Sequence, residues 1–122
     1  MINAILKSYE KTNVGANYLF ETDVSTLANY IKEFFEGEGY KLEEGTPEKG
    51  GYIKGSMGMR IMFGGLANRY KFNVNITYKD GMTHLELTRG MTGVSGGLIG
   101  YGKMGNEISR IREKINTESI HK

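Results

Sequence analysis

The fold class that the sequence predicts is α+β. The expected order is a strand, a helix, four strands and a second helix, β-α-β4-α, with an antiparallel sheet carrying both main helices on one face. Three observations predict it. Residues 70–79 alternate strictly between apolar and polar, and Asp80-Gly81 returns the chain onto residues 82–89. Leu27, Ile31, Phe34 and Phe35 make one apolar helical face, and Tyr101, Met104, Ile108, Ile111 and Ile115 make another. Consecutive strands joined by short turns form an antiparallel sheet, whose apolar side the helices must cover.

Ile2, Ile5, Leu6 and Tyr9 recur at helical spacing, so residues 1–12 are expected as an amphipathic arm or short helix. Residues 13–17 read as a turn and residues 18–21 as a strand. Asp23 or Ser25 can cap the next helix, because a short oxygen side chain accepts from an unpaired first-turn N–H. Gly37 and Gly39 stop it. Residues 40–43 resume as a strand, and residues 44–51 read as a loop. Residues 52–63 alternate, with Ile53, Met57, Met59, Ile61 and Phe63 on one side and Lys54, Ser56 and Arg60 on the other. Gly64-Gly65 turns the chain again.

The hairpin that follows has a defined register. Asp80-Gly81 supplies the two positive-φ positions that a two-residue turn requires. Tyr78 should then face Thr83, Ile76 face Leu85, and Val74 face Leu87. On the other side Thr77 meets His84, Asn75 meets Glu86, and Asn73 meets Thr88. Apolar meets apolar and polar meets polar, as a half-buried strand pair demands. The order of elements resembles that of TATA-binding-protein-like and helix-grip folds. The resemblance is one of topology, carried by no residue motif, and such architectures host nucleic-acid binders and lipid binders alike.

Size and composition agree with one globular domain over residues 1–122. Apolar residues make up 39% and charged residues 25%, enough for a core without staples. The absence of cysteine excludes disulfides, thiolate zinc sites and a cysteine nucleophile. The start of the chain is too short and polar for a signal peptide, and no apolar run reaches the ~18 residues of a membrane span. A cytoplasmic, bacterial-type protein is expected. Residues 1–51 carry five Lys against nine Asp and Glu, whereas residues 52–90 carry six Lys and Arg against two. The two halves are expected to pair with each other; the alternative is a basic middle that attracts an anionic partner.

Glycine is abundant, at 18 residues, and clusters before the last helix. Two phosphate motifs can be found there. Gly97-x-x-x-x-Gly102-Lys103 matches a Walker A pattern except that Met104 replaces the hydroxyl that would hold Mg²⁺. Gly100-x-Gly102-x-x-Gly105 matches a dinucleotide fingerprint, but too little chain follows for the next strand and its acidic residue. The apolar stripe offers a better account. It runs back in phase from Ile115 through Leu98 to Val94, so residues 95–117 are expected as one helix, with Gly97 and Gly105 facing the sheet.

Candidate functional residues are few. Lys54, Arg60, Lys71, Asn73, Asn75, Thr77 and His84 should share the polar face of the sheet. Only Tyr52 has the parity to offer a stacking ring there. Phe34, Phe35, Met57, Met59 and Phe63 could line an apolar pocket between helix and sheet. His84 and His121 are the only histidines, too few for a metal site, and no cofactor or catalytic constellation can be read. The expected function is a small non-enzymatic binding or interaction domain, with a homo-oligomer left open. Anion or nucleic-acid binding through the basic sheet face, or carriage of an apolar small ligand, are the alternatives. A nucleotide enzyme built on Lys103 ranks last.

Overall fold

Seven strands form one sheet in the order β3-β4-β5-β6-β2-β1-β7. Residues 2–54, 70–90 and 101–121 are described in this computed structural model, with the backbone alone for residues 101–105. The elements are β1 (Ile5–Lys11), β2 (Gly15–Glu21), α1 (Val24–Gly37), β3 (Lys41–Gly45), β4 (Lys49–Lys54), β5 (Tyr70–Lys79), β6 (Met82–Arg89), α2 (Tyr101–Glu118) and β7 (Ile120–His121). All neighbours are antiparallel except β1 and β7. The protein is therefore α+β, but its sheet is larger than the five strands expected.

The first correction concerns the short-helix alternative for residues 1–12, of which Ile5–Lys11 form a strand instead. The register of β1 on β2 shifts between Leu6 and Ser8. One extra residue at that bulge puts Leu6 and Tyr9 on the same face although they are three apart. A bulged strand thus reproduced the spacing of a helical turn. Ile2 is fully buried just ahead of it. The second correction is the loop expected over residues 44–51. β3 and β4 both run into it and leave a tight turn, in which the Thr46 and Lys49 backbones bond to each other at 3.0 and 3.1 Å.

Helix α1 begins where a cap was expected. The Asp23 carboxylate accepts from the Thr26 N–H at 2.7 Å. It ends as Gly39 turns to φ 91° and the Tyr40 N–H bonds back to the Phe35 carbonyl at 2.8 Å. The β5–β6 hairpin has the expected register at all six predicted pairs, with Asp80 and Gly81 at φ 54° and 81°.

One buried cluster joins Leu27, Ile31 and Phe35 of α1 and Ile108, Ile111 and Ile115 of α2 to Tyr18, Phe20, Phe72, Val74, Leu85 and Leu87 of the sheet. By register these sheet residues share one face, so both helices lie on it. The predicted helix over 95–117 is present from Tyr101 onward; residues 95–100, and the facing of Gly97 and Gly105, lie outside what is described.

Candidate functional site

Among the described residues nothing is packed over the centre of the face opposite the helices, where Asn73, Thr77 and Glu86 are exposed, while Ile53 at its β4 end is buried. Strand register places Glu10, Asn17, Glu86, Asn75 and Lys49 in one row across five strands. The next row holds Ser8, Leu19, His84 and Thr77. His84 Nε2 lies 3.0 Å from Asn17 Oδ1. Asn73 faces Thr88 one row further on. Two shallow depressions mark this surface. One, of about 490 Å³, lies among Glu44, Lys49, Asn73, Asn75 and Glu86, and the other, of about 570 Å³, among Ser8, Asn17, Leu19, Thr77 and His84.

Lys71 belongs to the same face but its charge is taken. Its ammonium sits 2.5 Å from Glu44 and 3.4 Å from Glu43. The bulge in β3 between Leu42 and Glu44 lets two consecutive glutamates reach one lysine. The stem lies flat between Gly51 and Gly90, where a Cβ would collide with it at 2.8 and 2.6 Å. The hydrogen bond from Lys71 to Glu44 holds the ammonium above its ordinary pKa against the opposing effect of burial. Glu43 and Glu44 are thus part of the sheet's own pairing.

Lys54 is not on this face. It pairs with Tyr70 and shares its side with Tyr52, which stacks on Phe35 at 4.6 Å. The Lys54 ammonium lies 5.6 Å from the centre of the Tyr40 ring, within cation–π range. Parity in β4 is opposite to the one expected, because Tyr52 faces the helices while Ile53, also buried, lies on the other side of the sheet. There it stands across from Lys71. The ring expected to be free for stacking is therefore in the core, and no described aromatic side chain lies on the open face. Of the expected polar set, the structure brings together Lys71, Asn73, Asn75, Thr77 and His84. Arg60 lies outside the described residues.

Phe34 and Phe35 are buried in contact with described neighbours. Phe35 meets Phe34 and Tyr40 edge-on at 5.4 and 5.2 Å and tilts against Phe72 at 6.0 Å. Neither depression lies beside them. Met57, Met59 and Phe63 lie outside the described residues.

A second polar group of residues, on the helix side, was not anticipated. The Tyr40 hydroxyl donates to Glu107 at 2.5 Å. Arg110 donates twice to the same carboxylate, each at 2.9 Å, and once to Glu38 at 2.5 Å. Lys114 donates to the other oxygen of Glu38 at 2.5 Å. Burial opposes ionisation of Glu107, yet the bonds from Arg110 and Tyr40 outweigh it and lower its pKa. Burial and the same carboxylate hold the Tyr40 phenol protonated. The Glu38 side chain is largely covered at the end of α1. The sequence signal was slight: Glu107, Arg110 and Lys114 flank the isoleucine stripe at helical spacing. Every group here has a partner, so the chemistry is that of a fastening.

Lys103 and Gly102, from the Walker-like run, are helical from the first turn of α2. Among the described residues no three His, Cys, Asp or Glu side chains converge as metal ligands. No described helix is long and apolar enough to cross a membrane. No protein-family model, curated protein or solved structure matches this chain.

Proposed function

We propose that this chain is a small, non-catalytic binding or interaction domain whose contact surface is the open face of the sheet. One observation carries the reading. Among the described residues the helix side is filled by a packed core and the paired polar groups of Tyr40, Glu107, Arg110, Glu38 and Lys114. The open side presents in-register rows of amide, hydroxyl, imidazole and carboxylate groups around two depressions. Asn17, Asn75, His84 and Glu86 form its centre. Rigid strands position such groups more accurately than loops do. We read the fold as a TBP-like or helix-grip-like arrangement extended by β1 and β7, on the support of the run β2, α1, β3 to β6, α2.

The basic-face and apolar-carrier readings have less support. Lys71 is engaged by Glu44 and Glu43, Lys54 lies on the other side, and Glu10 and Glu86 stand within the polar row. Phe34 and Phe35 are consumed by packing. The test is amide NMR of the isotope-labelled chain in buffer and in clarified cell extract. Binding through the open face broadens Asn17, Asn75, His84 and Glu86 ahead of the α1 amides. Broadening confined to α1, or a turnover lost on a single polar substitution, contradicts the proposal.

A further inference from the structure

Charge on the open face is divided about β6. That strand is the middle one of the five that carry the polar row from Glu10 to Lys49, with Glu86 at the centre. Glu10 lies two strands from β6 on one side, and Lys49 two strands away on the other. The division repeats toward the hairpin. Lys79 pairs with Met82, and Glu21 follows Phe20, which pairs with Thr83. Glu21 and Lys79 thus stand one strand from β6 on its two sides. All four charged side chains are exposed. Among the described residues none of the four has a salt-bridge partner.

In a two-fold interface each residue meets the one that the axis exchanges with it, and the match is made twice. An axis along β6 would lay the Lys49 of a second copy over Glu10, and its Lys79 over Glu21. Asn17 would meet the copy's Asn75, and an amide both donates and accepts. Facing sheets stand ~10 Å apart, a gap that a glutamate and a lysine bridge end to end. Glu86 alone would meet a like charge, because it lies on the axis.

We infer that the open face binds a second copy of this chain, turned about β6. The inference rests on the reading of that face as the contact surface and names its partner. A polyanion or a polycation would find only half of the face favourable, whereas the reversed copy matches both halves. The five strands and their rows span about 20 Å by 20 Å, or about 400 Å² per copy. That is about half of what a stable complex buries on each side. The dimer is therefore weak and reversible, and its charges set register more than affinity.

The test is sedimentation and NMR translational diffusion of the full chain over a concentration series, at low and high salt. Wild type should associate reversibly, less so at high salt. Glu10→Lys or Lys49→Glu alone should weaken association about tenfold. Mixing the two variants should restore it, because each supplies the charge the other lacks. Glu86→Gln should tighten it severalfold, and Glu33→Lys on α1 should leave it unchanged. A chain that stays monomeric up to about 1 mM at low salt, where charge screening is least, overturns self-pairing. So does a dimer indifferent to both reversals. If cell extract still broadens Asn17, Asn75, His84 and Glu86 of a monomeric chain, the open-face reading stands with another partner. A dimer broken by Glu33→Lys alone contradicts both.

Discussion

The Tyr40 hydroxyl and the Glu107 carboxylate meet at 2.5 Å in the protein interior, across 67 residues of sequence. Tyr40 also packs edge-on against Phe35 and tilts against Phe72 at 5.7 Å. One residue thus belongs both to the aromatic core and to the polar fastening of α2. Tyr40→Phe keeps the first role and removes the second. It leaves a buried carboxylate short of one donor, and the expected loss of stability is about 1–3 kcal/mol. Denaturant unfolding monitored by circular dichroism measures it.

Tyr52 gives the opposite expectation. It too is fully buried and stacks on Phe35, yet its hydroxyl has no hydrogen-bond partner among the described residues. Burial pushes its pKa up to about 12, with Glu36 and Glu48 adding to the effect. Tyr52→Phe removes an unpaired polar atom and keeps the ring. Its stability should equal that of the wild type or exceed it by up to about 1 kcal/mol. A loss as large as that of Tyr40→Phe would reveal a partner for the hydroxyl.

Acid should loosen the molecule through Glu38 and Glu107. Burial would raise both carboxyl pKa values. Bonds from Lys114 and Arg110 to Glu38, and from Arg110 and Tyr40 to Glu107, outweigh it and lower them. A carboxylate with a lowered folded pKa contributes stability that is fully present above its unfolded value and is lost as pH falls through the folded one. Stability should therefore hold at neutral pH and decline once the pH drops below the ordinary glutamate value of 4.5. Glu107→Gln should lower stability at neutral pH and flatten that decline. Unfolding midpoints measured across the acid range check both.

Two glycines should respond in opposite directions to alanine. A Cβ at Gly15 would run into the Leu87 carbonyl of the neighbouring strand, and backbone cannot move aside as a side-chain tip can. Gly15→Ala should cost about 1–3 kcal/mol. Gly37 closes α1, with nothing within 4 Å of an added Cβ. Gly37→Ala should stabilise by up to about 1 kcal/mol, because alanine surrenders less backbone freedom. Thermal melts of the two variants separate these outcomes.

Legibility in the sequence followed how local each signal was. The β5–β6 hairpin could be read pair by pair, because Asp80-Gly81 dictates the turn and alternation dictates the faces. The cap at Asp23 and the stop at Gly39 were equally local. β1 was ambiguous between arm and helix because its bulge at Lys7 mixes strand and helix spacing. β4 was misread because Gly50 and Gly51 erase alternation, leaving Tyr52 and Ile53 as neighbours with equal claims on the core. The pairing of Glu38 with Arg110 spans 72 residues, and no local pattern announces it. The open face was legible in Asn73, Asn75, Thr77 and His84, but not in Glu10 and Asn17. Those two join it only through the pairing of β1 and β2 with β6.

The claim that this chain works by contact through its open face can be met directly by site-specific photo-crosslinking in living cells. A photoreactive phenylalanine analogue is placed at Asn75, at the centre of the polar rows, and in a second strain at Glu33, exposed on α1. Irradiation should yield discrete covalent adducts from position 75 and none from position 33. Adducts from position 33 alone, or from neither position in a folded chain, would contradict the account.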